Sequence, residues 1–293
     1  MAHDTILEEI LAAKREEVAR LQLFRSAIRA QADAAPPPRG FEASLRRPGQ
    51  VSVVAEFKRR SPSAGDINPY AQAAGVASVY ASAGAGAISV LTDERFFGGS
   101  LEDLRSVRDA VGVPVLRKDF TLDPIQLYEA RAAGADAVLL IVRALGDARL
   151  RELLGLAGEL GLAVLTEVHD EEEMGRALDA GAEIVGVNAR DLTTFKVDLD
   201  RSLQLIDTLP AEVVAVAESG IRSAEDAAAA GSAGADAVLV GGWLMGGDPA
   251  AGVEALVGHP RRPRRAAMKG AASTPAGVAS PVAAPNILGG DAG

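Results

Sequence analysis

The chain has 293 residues, 48% apolar and only 4% aromatic, with a formal net charge of −10. That suits one large domain with an aliphatic core, and the negative balance argues against a nucleic-acid-binding role. The absence of cysteine removes disulfides, thiolate metal sites and thiol nucleophiles, and three scattered histidines (His3, His169, His259) speak against a histidine-based metal site.

In chain order, residues 4–31 carry one amphipathic pattern, with Leu7, Ile10, Leu11, Lys14, Val18 and Leu21 on one face and Asp4 or Thr5 able to cap its start. The first residues hold acids and no apolar run of signal-peptide kind, and the longest apolar runs, such as 137–142, are far too short for a bilayer. A cytoplasmic protein with no membrane partner is expected. Pro36, Pro37 and Pro38 break the pattern, and a short segment with Phe41 and Leu45 leads onward.

From residue 51, apolar runs of strand length alternate with helical patterns. Strands are expected at 51–57, 87–92, 113–117, 136–142, 162–167, 183–188, 213–218 and 236–241. Most are near-continuous aliphatic runs, as parallel strands covered on both faces should be. Residues 82–90, 133–140, 179–187 and 232–240 resemble one another, each with a glycine (Gly84, Gly134, Gly181, Gly234) suited to ending a helix just before a strand. Four such modules of two βα units give a (β/α)₈ barrel. A doubly wound open sheet is the alternative, but the Gly-x-Gly-x-x-Gly turn after the first strand is missing. The expected organisation is a helical extension at 1–50, a catalytic barrel at 51–258 and a disordered tail at 259–293. The tail is rich in Ala, Pro and Gly, and carries Arg261, Arg262, Arg264, Arg265 and Lys269 against one acid, Asp291.

Chemistry in such a barrel gathers where strands end. The first strand ends with Glu56 and Lys58 on one side, either working groups or an ion pair closing the barrel top. Later exits carry Lys118, Glu167, Asn188 with Arg190, and Glu218 with Ser219. Singly each reads as a solvated strand end; together they favour proton transfer on an anionic substrate. Gly220 follows the seventh strand, and Gly241 and Gly242 the eighth. They are either tight turns or the backbone donors of a phosphate site.

These residues resemble one family. Val54-Ala-Glu-Phe-Lys-Arg-Arg-Ser-Pro-Ser-Ala-Gly65 is similar to the first-strand signature of indole-3-glycerol-phosphate synthases. Ser89-Val-Leu-Thr-Asp-Glu-Arg-Phe-Phe-Gly-Gly-Ser100, Leu116-Arg-Lys-Asp-Phe120, Leu165-Thr-Glu-Val-His169, Gly186-Val-Asn-Ala-Arg-Asp-Leu192 and Ala217-Glu-Ser-Gly-Ile221 follow the family's later segments in order, over about residues 4–257.

The resemblance implies an enzyme of tryptophan biosynthesis. It would close the ring of 1-(o-carboxyphenylamino)-1-deoxyribulose 5-phosphate, releasing CO₂ and water, without cofactor or metal. It implies Lys118 as general acid, Lys58 as a second acid, Glu167 as general base, Glu56 as partner of the lysines and Asn188 as a hydrogen-bond partner of the reacting hydroxyl. Arg190 would read the anthranilate carboxylate. Ser61, Gly220, Gly241 and Gly242 would hold the phosphate, Phe97 and Phe120 flank the ring, and Glu218 and Ser219 line the site. The partner is thus a small, anionic, phosphorylated substrate, and association with other tryptophan-pathway enzymes is the macromolecular contact that fits. The sequence departs from the family at Trp243, where a small residue is usual.

Overall fold

The computed structural model describes residues 6–191 and 194–264. Eight parallel strands close into one barrel: β1 (Ser52–Phe57), β2 (Ala87–Leu91), β3 (Val115–Lys118), β4 (Ala137–Ile141), β5 (Ala163–Val168), β6 (Ile184–Asn188), β7 (Val214–Glu218) and β8 (Ala237–Val240). Each strand pairs with its chain neighbours, and β8 returns to β1 in the register Ser52↔Ala237 to Ala55↔Val240. The open sheet is thereby excluded, and every expected strand is present within two residues.

The aliphatic runs are continuous because both faces of each strand are covered. Val54, Leu116, Leu139, Leu165, Val216 and Leu239 fill the barrel interior. Their neighbours Val53, Ala55, Val115, Leu140, Val185 and Val238 pack outward in a second cluster. Against that outer surface lie the helices that follow the strands, among them α4 (Ala73–Ser82), α6 (Leu101–Ala110), α7 (Pro124–Ala132), α8 (Asp147–Glu159), α9 (Glu171–Asp179), α10 (Leu199–Thr208) and α11 (Ala224–Ala233). Short helices α5 (Glu94–Phe97) and α12 (Gly242–Met245) sit at strand exits, and α13 (Pro249–Leu256) closes the ring. The four repeated glycines all have positive φ, from 86° to 102°, as the helix-to-strand turns required.

Ahead of the barrel stand α1 (Ile6–Gln22), α2 (Arg25–Ala34) and the short α3 (Phe41–Leu45). One helix over 4–31 was expected; there are two. Leu23 and Phe24 donate to carbonyls three residues back, Arg20 O at 3.2 Å and Leu21 O at 2.9 Å, and the chain changes direction there. Ile10 and Lys14 of α1 are buried at the barrel mouth, whereas Ile28 and Ala32 of α2 are buried where that helix lies along α7. One straight helix cannot serve both surfaces, and the turn left no glycine or proline to betray it. The expected caps Asp4 and Thr5 lie outside the described residues.

The tail also needs correction. Disorder was expected from residue 259, but 259–264 pack across the barrel end opposite the strand exits. Gln50 and Pro260 form an antiparallel bridge. Arg264, only 5% exposed, donates to the carbonyls of Gly234 and Val213 and lies 2.9 Å from Asp236 Oδ2. Asp236 accepts the Ala215 N–H at 2.9 Å and also meets Arg261 at 3.2 Å. Composition hid this because backbone pairing and arginine side chains, not an apolar stripe, make the contact. Residues 265–293 lie outside the described residues.

Candidate active site

Strand alternation decides what reaches the barrel mouth. Glu56 on β1, Lys118 on β3, Glu167 on β5, Asn188 on β6 and Glu218 on β7 each stand two residues beyond an inward aliphatic, Val54, Leu116, Leu165, Gly186 excepted, and Val216. They surround a cavity of about 570 Å³, and all the site residues expected from the sequence line it: Glu56, Lys58, Ser61, Phe97, Lys118, Phe120, Glu167, Asn188, Arg190, Glu218, Ser219, Gly220, Gly241 and Gly242. The N-terminal helix was expected near the strand-exit face, and Ile6, Leu7 and Ile10 of α1 do cover the mouth as a roof; the sequence named none of these three as site residues, nor Arg222 beyond Gly220. The amphipathic face of α1 was the available signal for the roof.

Two ion-pair groups occupy the floor. Lys58 Nζ lies 2.6 Å from Glu56 Oε1. Lys118 Nζ lies 3.2 Å from Glu167 Oε2 and 3.3 Å from Glu218 Oε2. Three carboxylates therefore face two ammonium groups in a buried setting, and one carboxyl is best kept protonated. Glu218 is that group: burial, then the charges of Glu167 and Glu56, outweigh Lys118 and push it up to about 8. Burial would raise Glu167 too, but Lys118, then His169 and a hydrogen bond from Asn188, hold it below the usual carboxylate range. Burial alone would lower Lys118, yet Glu167, Glu218 and Glu56 keep it charged.

Two glycines make room for these acids. A Cβ at Gly186 would stand 1.9 Å from Glu218 Oε1, and one at Gly241 would stand 2.3 Å from Glu56 Oε1. Gly241, expected as a phosphate donor, thus also seats a carboxylate. Gly242 faces open space at its Cβ position and begins α12, whose first N–H groups have no acceptor within the helix. Ser219 has φ +64°, an uncommon left-handed value for a residue with a side chain, and Gly220 follows at +83°.

The cavity's rim is cationic and aromatic. Arg190 is half-buried; burial first, then Arg222, lowers its pKa against the opposing pull of Glu56. No carboxylate among the described residues forms an ion pair with Arg190 or Arg222. Two such guanidinium groups beside a cavity suit an anionic ligand. Phe97 and Phe120 stand on the other side, ring centroids 6.2 Å apart. Behind Phe120, Lys14 of α1 is 1% exposed and reaches Asp93 at 2.9 Å and Asp119 at 2.8 Å. The apparent flaw in the apolar face of α1 is therefore the ion that ties this roof helix to the β2 and β3 exits. Among the described residues no group of three or more His, Cys, Asp or Glu side chains is placed to hold a metal ion.

A closed (β/α)₈ barrel with partly buried lysine–carboxylate pairs at its strand exits defines the class: a barrel enzyme suited to proton transfer on a small anion. The family model described as indole-3-glycerol phosphate synthase matches residues 7–256. Indole-3-glycerol phosphate synthase of Mycobacterium avium is 50% identical over 91% of this chain and 100% of its own length, and that of Mycobacterium ulcerans is 49% identical over the same shares. Among solved structures, thiamine phosphate pyrophosphorylase from Pyrococcus furiosus superposes with a TM-score of 0.53 at 18% identity, over 72% of this chain and 95% of that one, a likeness of fold alone. The chain belongs to the indole-3-glycerol phosphate synthase family, carboxy-lyases of tryptophan biosynthesis.

Proposed function

We propose that this barrel converts 1-(o-carboxyphenylamino)-1-deoxyribulose 5-phosphate to indole-3-glycerol phosphate with the following division of labour. As the aromatic carbon attacks the substrate carbonyl, Lys118 gives a proton to the carbonyl oxygen. CO₂ leaves because the ring, transiently cationic, takes back the electron pair. Lys58 protonates the departing hydroxyl, which leaves as water, and Glu167 takes the proton that restores the aromatic indole. Two protons enter and one leaves, so each turnover consumes one proton. Glu56 holds Lys58, and Asn188 holds the reacting hydroxyl.

Arg190 faces the anthranilate carboxylate, and Phe97 and Phe120 flank its ring. Ser61, Gly220, Gly241 and Gly242 receive the phosphate, while Ser219 and Glu218 complete the wall. The carrying observation is the partly buried Lys118 poised between Glu167 and Glu218 at 3.2 and 3.3 Å, a charged donor beside an ionised acceptor. Cytoplasmic location and association with other enzymes of the pathway complete the reading and rest on the family alone; no described helix is long and apolar enough to cross a membrane. The test is direct. The purified chain, given the substrate, should develop the fluorescence of the indole product, and no such signal from folded protein would defeat the reading.

A further inference from the structure

His169 closes the segment that carries Glu167, and the division of labour gives it no role. It stands two residues past Glu167 as β5 ends, with its side chain buried. Nδ1 lies 3.0 Å from Glu173 Oε2, and the same oxygen accepts the His169 backbone N–H at 2.9 Å. The ring is thus fixed from behind. Nε2 points the other way, 3.6 Å from Glu167 Oε1, and is buried without a hydrogen-bond partner. An orphaned buried nitrogen is costly, and here it costs least if Glu167 closes on it. The opposite oxygen of Glu167 already receives Lys118.

We propose that His169, anchored by Glu173, is a positioning residue for Glu167: it holds Oε1 while Lys118 holds Oε2, and so fixes the carboxylate in the orientation and charge state that accept a proton. The groups facing the ring are few. Glu167 and Glu173 meet it directly. Arg143 Nε binds Glu173 at 2.6 Å, with Asp170 and Asp191 beyond it, and Lys118 and Glu218 lie behind Glu167. Burial would raise Glu173, but His169 and Arg143 hold it below the usual range, so the anchor is ionised. The chain Arg143–Glu173–His169–Glu167–Lys118 runs without a gap from the half-buried edge to the reacting centre, and each link orients the next.

The inference rests on Glu167 as the base. It is tested by kcat and KM against pH, with thermal unfolding, for the intact enzyme and for His169→Gln, Glu173→Gln and Glu167→Gln. A neighbouring opposite charge is worth roughly 1–3 pKa units to a carboxylate. His169→Gln should therefore move the acidic limb of kcat upward by about one unit or more, with KM nearly unchanged. Glu173→Gln leaves the ring in place and should move it in the same direction by less. If both variants keep the wild-type profile and lose only melting temperature, the inference is overturned. Should His169→Gln fail to fold, Glu173→Gln alone decides in the same way. Near-normal turnover of Glu167→Gln would instead sink the base assignment, which separates the two failures.

Discussion

At the scale of single residues, the groups proposed to work on the substrate are also partners in ion pairs, so substitutions must be read in two channels. Glu167→Gln keeps shape and removes the base; kcat should fall by roughly 10² to 10⁴ with little change in KM, because the proton moves only on the way to the transition state. Lys118→Met should lose a similar factor and stability as well, since it strands the ionised Glu167 in a buried site. Turnover near wild type in both would refute the acid and base assignments. Glu218 makes a separate forecast. Its carboxyl, raised from 4.5 to about 8, keeps its proton in the folded state while the unfolded chain has lost it. Between those values the native state binds more protons, so this group makes stability fall as pH rises. Glu218→Gln should remove that slope, and an unchanged pH dependence of unfolding would show that Glu218 is ionised. The residues themselves were legible in the sequence because strand alternation and the strand exits locate them. Their protonation was not, because it depends on distances among side chains far apart in the chain.

At the scale of elements, strands were legible and helix direction was not. Aliphatic runs record burial on two faces, and that fixes β1 to β8 within two residues. The turn at Leu23 and Phe24 leaves the apolar period unbroken while α1 and α2 serve different surfaces, which only packing reveals. The loop glycines show the same division. Their positions after β7 and β8 were readable, but Gly241 also clears Glu56, so a side chain there disturbs the floor before it meets any phosphate. Gly242 is the cleaner probe, with no atom within 4 Å of a Cβ built on it. Gly242→Val should raise KM strongly and leave melting temperature and kcat close to wild type. An unchanged KM would place the phosphate elsewhere.

At the scale of the whole molecule, the two ends of the barrel divide the work: chemistry at the strand exits, closure at the other end. Closure is built twice. Asp136 accepts the Val115 N–H at 2.8 Å and Asp236 accepts the Ala215 N–H at 2.9 Å, each in the repeated Gly-Ala-Asp. Asp136 meets Arg108 at 3.3 Å and the Arg39 backbone N–H at 2.6 Å, both supplied from earlier in the chain; Asp236 meets Arg264 and Arg261, supplied from its end. The C-terminal segment is therefore a latch on Asp236, whose ion-pair partners among the described residues, Arg261 and Arg264, both come from downstream. A chain ending at Gly258 loses both cations and leaves Asp236, 2% exposed, without a counter-charge. Removing one partner of a buried pair costs ~3–5 kcal/mol. Arg264→Ala should fall at the low end, because Arg261 still faces Asp236, and truncation should cost more. At roughly 2–4 °C per kcal/mol, either change should lower the melting temperature by about 5 °C or more against a chain ending at Arg264. Turnover measured well below that temperature should hold, since the latch lies across the barrel from Lys118 and Glu167. Equal melting temperatures for chains ending at Gly258 and Arg264 would show that these six residues add nothing to the barrel.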